Sequence, residues 1–359
     1  MCMFQFIPCY ETRIRVATFT LSAVLGAGMA VCQIQTPAAG WSGDAETIAR
    51  LRPIVAAHHG KVALFAVRLG TGETVGLDKD LAVQTASDIK LAILYEAMVE
   101  VRAGKARWDE KLVLQPGDAV PGSGVLTFFD APVTLTLKDV LTMMVIVSDN
   151  TATNLAIDRF GVETVNARME ALGLMTTHLY KKIGKPATGP LPGDQPKFGL
   201  GKSTAQEMAT VMSAIGLCTL REKPQPSKPG WPFSYEEPDE ADKAVCAVGM
   251  KMLRNQFYRE TIPRYLETVD TSETGTAIAS KTGSLNAARS DVAIVAGKSG
   301  PMVIAIFTYE NADHGWTVDN EGEVTVAKLA KAIVSGWSPE GIDDKTLVPG
   351  LGLAVTVAK

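Results

Sequence analysis

The stretch LKDVLTMMVIVSDNTATNLAIDRF, residues 137–160, decides how the middle of this chain folds. Apolar residues recur at helical spacing over 137–147, and the spacing resumes over 152–160, so we predict two helices. Ser-Asp-Asn at 148–150 falls on the turn between them. The two helices therefore deliver a polar turn to a fixed place in the fold.

Two other short strings accompany this turn. Ser-Asp-Ile-Lys opens a helix predicted over 87–103, and the spacing puts Ser87 and Lys90 on one face of its first turn. Lys-Thr-Gly at 281–283 lies at the end of a predicted strand. Each tripeptide has a chance expectation of only roughly a few per cent. Together the strings favour a serine acyl-transfer site with an activating lysine over the alternative of two helix-capping turns.

The chemistry of acyl transfer gives these residues distinct roles. A neutral Lys90, with its pKa lowered by burial and by a neighbouring cation, could take the proton of Ser87. Ser148 would relay a proton to the leaving nitrogen, and Asn150 would hydrogen-bond a substrate amide. These residues form the side of the site that activates the serine.

The Lys-Thr-Gly string supplies the opposite side of the predicted site. Lys281 and Thr282 could bind a substrate carboxylate and hold positive charge near the serine. The backbone N–H of Ser284 could form an oxyanion hole with that of Ser87. The predicted catalytic residues are therefore Ser87, Lys90, Ser148 and Lys281, and the predicted substrate-binding residues here are Asn150, Thr282, Gly283 and Ser284.

Both ends of the chain read as strands. A hairpin is predicted at 62–77, and three further strands at 276–281, 291–296 and 302–308. We predict a mixed α/β fold of the α+β type: a five-stranded antiparallel sheet built from both chain ends and flanked by helices. An all-helical lobe would be inserted between the strands. The predicted sheet lobe spans 44–80 and 270–337, the helical lobe 81–269, and a C-terminal tail 338–359.

The sequence resembles the class A serine β-lactamases, within the superfamily of serine β-lactamases and penicillin-binding proteins. The resemblance runs through nearly all of 44–337 and is carried by GETVGLDKD, ASDIKLAIL, GSGVL, LTLKDVLTMMVIVSDNTATNLAIDRFG and KTGSLNAARSDVAIV. It implies that Ser87 is acylated with Lys90 as general base, and that Ser148 is the proton relay. It also implies that Arg289 binds a substrate carboxylate.

One departure from this family affects release of the acyl group. Class A enzymes use a loop glutamate to activate the water that hydrolyses the acyl-enzyme. No glutamate occurs over 173–202, and the position where it is expected, near 188, is a threonine. Asp194 is the one carboxylate of the loop and is our candidate deacylation acid, with Lys90 itself as the alternative. We therefore expect acylation to survive and deacylation to be slow.

Three functions fit this pattern. The first is a β-lactamase that opens β-lactam rings, which would make the protein part of antibiotic catabolism or resistance. The second is a D-Ala-D-Ala peptidase or penicillin-binding protein, and the third a β-lactam-binding sensor that stays acylated. Agreement along the chain favours the hydrolase, whereas the missing glutamate favours the other two.

The charge and histidine content limit the classes of binding partner that we expect. With 35 Lys+Arg against 39 Asp+Glu, the formal net charge of the 359 residues is -4, which argues against a nucleic-acid surface. The four histidines are scattered, so we predict neither a metal site nor a cofactor. The expected partner is a small-molecule β-lactam or a cell-wall peptide, and the expected state is a monomer.

Residues 1–39 read as a signal peptide and leader. Two arginines precede an apolar run over 16–31 that is too short for a comfortable membrane span. We expect export to the periplasm or medium without stable membrane insertion after cleavage, with lipid anchoring at Cys32 as a less favoured alternative. Cys218 and Cys246 then remain in the mature body, either as a disulfide or as two separate buried thiols.

Overall fold

The computed structural model of the protein describes residues 40–187, 189–220, 238–266 and 276–342. The predicted leader at 1–39, the threonine at 188, most of the predicted insertion at 221–242, and the tail from 343 onward lie outside the described residues.

The described residues form eleven strands, nine α-helices and three 3₁₀ turns. The strands are β1 (Trp41–Gly43), β2 (Lys61–Arg68), β3 (Thr74–Leu77), β4 (Val83–Gln84), β5 (Lys111–Leu114), β6 (Val133–Thr136), β7 (His178–Leu179), β8 (Gly201–Ser203), β9 (Ile278–Leu285), β10 (Ala288–Gly297) and β11 (Gly300–Tyr309). The helices are α1 (Ala45–Ala56), α2 (Lys90–Arg102), α3 (Leu137–Ile146), α4 (Asn150–Phe160), α5 (Val162–Ala171), α6 (Gln195–Phe198), α7 (Ala205–Gly216), α8 (Glu240–Arg254) and α9 (Glu321–Trp337). Three 3₁₀ turns occupy Ala86–Ile89, Leu126–Phe128 and Ile262–Tyr265.

The main sheet joins both ends of the described chain, as predicted. Its strand order is β1-β3-β2-β11-β10-β9, with every pair antiparallel. The predicted count of five strands is wrong, because β1 pairs with β3 and adds a sixth. This short strand carries no run of alternating apolar residues, so no periodic pattern marks it.

Helices cover both faces of this sheet. α1 and α9 pack on one face, and α7 packs on the other across β2, β10 and β11. β10 is therefore buried almost along its whole length, which explains its continuous run of buried residues. Fully buried Leu329 and Ile333 of α9 each stabilise the packing by about 1.5–3 kcal/mol relative to exposure.

The predicted helical lobe is not all helical. It also holds a three-stranded sheet, β4-β8-β7, and a two-stranded sheet, β5-β6. These strands are only two to four residues long, which is too short to produce a periodic pattern. Among the described residues, no helix combines the length and apolar character needed to cross a membrane.

Three element ends differ from prediction near the candidate site. The helix predicted to begin at Ser87 begins at Lys90 and is preceded by the 3₁₀ turn Ala86–Ile89. The sequence also predicts a helix over 244–266, but the helix found there ends at Arg254. The strand predicted to end at Lys281 continues to Leu285, so Lys-Thr-Gly lies inside β9 and pairs with β10.

Of the two alternatives for the cysteines, the structure has the disulfide. Cys218, just after α7, is bonded to Cys246 in α8, with their Cα atoms 5.7 Å apart. The bond ties the segment that follows α7 to α8.

Candidate active site

Ser87 lies on the 3₁₀ turn that leads into α2. The preceding residue, Ala86, has a φ of +45°, a left-handed conformation that is uncommon for a residue with a side chain. Ala86 and Asp88 are buried, whereas Ser87 is partly exposed. The turn therefore holds its neighbours in the interior and presents Ser87 to a cavity.

Two lysines converge on the hydroxyl of Ser148. Lys90 Nζ donates to Ser148 Oγ (3.0 Å), to Ser148 O (2.6 Å) and to Asn150 Oδ1 (3.1 Å). Lys281 Nζ donates to the same Ser148 Oγ (3.1 Å) and to Thr282 O (2.7 Å). The backbone of Ser148 is left-handed, with φ of +52°. The structure thus brings residues from all three sequence strings to one point.

The two lysines differ in their electrostatics. Both side chains are fully buried. Burial lowers the pKa of Lys90 well below its usual range, Lys281 lowers it further, and Asp149 opposes the shift. Burial lowers the pKa of Lys281 to about 8, against the opposing effect that Asp88 and Asp291 exert when they are ionised. Because two like charges this close repel, the arrangement favours loss of a proton from Lys90 while Lys281 keeps its charge.

A cavity of about 300 Å³ opens beside these residues. Four predicted site residues share its wall: Ser87, Ser148, Thr282 and Ser284. The other lining residues are Ser123, Tyr258, Glu260, Thr261, Trp316, Thr317, Val318 and Glu323. This volume is at the lower end of the range for small-molecule sites.

The Ser-Asp-Asn turn also fixes a neighbouring loop. Asp149 accepts from the backbone N–H groups of Val125 (2.6 Å) and Leu126 (2.8 Å) and caps α4 through Ala152 N. Asn150 N donates to Ser123 O (2.9 Å). The middle residue of the string is therefore structural: it holds the loop that brings Ser123 to the cavity.

Gly283 lets β9 approach the nucleophile turn. A Cβ at this position would lie 2.6 Å from Ser290 Oγ and 2.7 Å from Thr85 O. Any side chain would push the strand away from the segment that precedes Ser87. The third residue of Lys-Thr-Gly must therefore be glycine for steric reasons.

Arg289 does not line the cavity. Its side chain is fully buried, with Nε bonded to Glu323 (3.0 Å) and Nη2 to Gly315 O (2.6 Å). The guanidinium also lies 4.6 Å from the ring centre of Trp316. Its observed contacts hold two cavity-lining side chains, Glu323 and Trp316, from behind.

Asp194 is also separate from the cavity wall. It lies at the start of α6 and accepts from Lys202 Nζ (2.6 Å) and Tyr180 Oη (3.0 Å). These two hydrogen bonds lower its pKa. The same loop is bonded to α4 through Ile183. Ile183 N donates to Asn154 Oδ1 (2.8 Å), and Asn154 Nδ2 donates to Ile183 O (2.9 Å).

The sequence patterns did not reveal several cavity residues. Tyr258 and Glu260 fall where a continuous helix was predicted, and Glu323 lies in the first turn of α9. Burial raises the pKa of Glu323, and its partner Arg289 opposes the shift. These side chains meet only through long-range packing of α8, α9 and the sheet, and no local motif marks them.

Comparisons with known proteins agree with this fold. A family model described as "Beta-lactamase enzyme family" matches residues 46–337. The chain is similar to a solved β-lactamase from Sphaerobacter thermophilus DSM 20745, at 27% identity over 81% of this chain and 96% of that one, with a TM-score of 0.63. It shares the fold of PBP-A at 20% identity, over 82% of this chain and 97% of that one, with a TM-score of 0.64. A PBP-A variant was solved as an acyl-enzyme complex with penicillin G.

A curated relative adds a regulatory protein to these matches. The "Beta-lactamase regulatory protein BlaB" of Streptomyces cacaoi is 33% identical over 97 residues. That match covers 26% of this chain and 31% of the relative's length. Together the comparisons confirm the predicted fold class.

Proposed function

Since the chain belongs to the beta-lactamase enzyme family, we propose that it is a serine hydrolase that is acylated on Ser87 and opens β-lactam rings. The observation that carries the proposal is the convergence of Lys90 and Lys281 on Ser148 Oγ, at 3.0 and 3.1 Å, on the wall of the cavity that Ser87 also lines. Such an arrangement supplies a base and a proton relay beside a nucleophile.

In the proposed acylation, Lys90 accepts the proton of Ser87 while Oγ bonds to the lactam carbonyl carbon. The carbonyl oxygen becomes negative and is stabilised by the backbone N–H groups of Ser87 and Ser284. The C–N bond then breaks, and Ser148 donates its proton to the nitrogen. Because Ser148 Oγ accepts hydrogen bonds from both lysines, either can return a proton to it.

Acylation is expected to depend on pH through the two lysines. The rate should rise as Lys90 loses its proton, at a pH below the usual range of lysine because its pKa is lowered. It should fall again as the pH passes about 8, where Lys281 loses its proton and its positive charge. Single-turnover acylation measured from pH 5 to 10 tests this, and a rate that keeps rising to pH 10 would contradict the assigned role of Lys281.

We propose that release of the acyl group is slow. Asp194 is ion-paired with Lys202 and does not line the cavity, and its loop contains no glutamate. The same observation favours a second function, a β-lactam sensor that stays acylated. The similarity to a regulatory protein supports that alternative.

The proposal is tested by incubating the protein with a chromogenic cephalosporin while following turnover and intact mass. We expect about one equivalent of fast ring opening, then slow turnover with the adduct present. An adduct that persists without any turnover would reject the hydrolase function and support the sensor function.

Asp194→Asn is expected to change neither the acylation rate nor the turnover rate, because the Asp194 carboxylate is bonded to Lys202. The matched control is Asp158→Asn, at an aspartate likewise paired with a lysine, Lys182. Adduct accumulation in Asp194→Asn alone would restore Asp194 as the deacylation acid.

We also propose that the protein is exported and acts as a monomer on a small-molecule β-lactam. The predicted leader supports export, and the disulfide between Cys218 and Cys246 suits an oxidising compartment.

A further inference from the structure

Asp88, the residue after the nucleophile, is a buried acid without a partner. Its side chain is 0% exposed, and in the described part of the chain neither carboxyl oxygen has a hydrogen-bond partner. An ionised carboxylate in such a place would lack both water and donors, which is costly. A neutral carboxylic acid bears burial far better. The acylation steps above assign no role to this residue.

The groups around Asp88 already balance their charges without it. Lys281 faces it from β9 and Asp291 from β10. Lys90, at the start of α2, directs its Nζ to Ser148 and Asn150 instead. Asp291 Oδ2 accepts from Thr261 Oγ1 (2.7 Å) and Ile262 N (3.1 Å), whereas its Oδ1 has no partner among the described residues. Burial raises the pKa of Asp291 to about 6, so it is a carboxylate above that pH. From β8, the titratable group is Lys202, which is bonded to Asp194. One ammonium, Lys281, thus stands against one hydrogen-bonded carboxylate, Asp291.

Close packing leaves Asp88 little freedom to find a donor. Its Oδ2 lies 3.0 Å from the position that a Cβ on Gly283 would take, on the same side as Ser290 Oγ and Thr85 O. The Ser290 hydroxyl donates to Gly283 O (3.1 Å). Burial raises the pKa of Asp88 well above its usual range, and the opposing effects of Ser290 and Lys281 do not cancel this.

We propose that Asp88 retains its proton at neutral pH and is a positioning residue for acylation: as an uncharged carboxyl it packs the Ser87 turn against β9. It thereby places no negative charge beside the serine. An anion one residue from Ser87 would oppose the negative charge that develops on the reacting oxygens. This inference rests on the proposed function, since it concerns acylation of Ser87, but the protonation of Asp88 can be tested without any catalysis.

The first test is the thermal stability of Asp88→Asn as a function of pH. In the unfolded chain an aspartate ionises near pH 3.9, whereas the folded protein keeps the proton to higher pH, so the folded state binds more protons and stability falls as pH rises. Asparagine removes this penalty. The variant should therefore gain in melting temperature relative to wild type as the pH rises from about 4 to 7. Asp130→Asn, at an exposed aspartate, is the control and should show no such trend.

The second test is spectroscopic and kinetic. The infrared difference spectrum between wild type and Asp88→Asn at pH 7 should contain the C=O stretch of a protonated carboxylic acid. The acylation rate of the variant with a chromogenic cephalosporin should stay within about threefold of wild type, because Asn mimics the neutral acid. The fall of this rate at alkaline pH (the alkaline limb) should occur at the same pH as in wild type.

Three results would overturn the inference: a carboxylate band in place of the acid band, a variant that unfolds earlier or fails to fold, or an alkaline limb moved to lower pH. The last would mean that Asp88 is an ionised counter-ion of Lys281. If wild type is never acylated, the proposed function fails, while the stability and infrared results still decide the state of Asp88.

Discussion

Ser87→Ala is expected to abolish the covalent adduct with β-lactams and to lower ring opening by about 10⁶-fold, the scale of loss seen when a serine nucleophile is removed. The reason is chemical: the variant has no oxygen to bond to the lactam carbonyl, whereas Lys90, Lys281 and Ser148 remain in place. The measurement is the rate of the first equivalent of ring opening of a chromogenic cephalosporin, together with intact mass.

The control for this variant is Ser299→Ala. Ser299 lies on the turn between β10 and β11, and its hydroxyl bonds Glu340 rather than any cavity residue. It should acylate as wild type does. A Ser87→Ala protein that still gained the mass of the β-lactam would show that another residue is the nucleophile.

Lys90→Met is expected to slow acylation by about 10²- to 10⁴-fold, the usual contribution of a general base. Methionine fills the fully buried site of Lys90 with an apolar chain of similar length, so the fold should persist. The variant loses the proton acceptor for Ser87 and the hydrogen bond to Ser148 Oγ. Rapid-mixing measurement of adduct formation gives the rate directly.

The pH dependence of the acylation rate distinguishes loss of the general base in Lys90→Met from a mere displacement of neighbouring side chains. In Lys90→Met the acid limb of acylation should disappear, while the fall above about pH 8 should remain because it belongs to Lys281. Lys202→Met, at a lysine bonded to Asp194, is the matched control and should keep both limbs. An unchanged acid limb in Lys90→Met would assign it to another group.

The sequence was sufficient to predict that three distant strings meet. Ser87 and Lys90 are three residues apart on the 3₁₀ turn that leads into α2, and an antiparallel sheet built from both chain ends brings β9 beside that turn. The confirmed fold class follows from the order of strand and helix signals. The role of each residue remains a prediction; the contacts of Lys90 and Lys281 with Ser148 Oγ are two of those that the predicted chemistry needs.

The rest depends on contacts that local patterns do not encode. The sixth strand exists because three residues pair with β3, and pairing partners are not visible in a short segment. Glu260 and Glu323 reach the cavity from elements far apart in the chain. The family resemblance implies that Arg289 binds a substrate carboxylate. The acceptors around its guanidinium are instead protein groups, which only the folded structure reveals.

The most direct test of the account is to locate the acyl group. Wild-type protein incubated with penicillin G and digested for peptide mass spectrometry should carry the added mass on the peptide that contains Ser87, and fragmentation should assign it to that residue. A modification on another residue, such as Ser148 or Ser123, or complete absence of added mass over a range of β-lactams, would contradict acylation of Ser87.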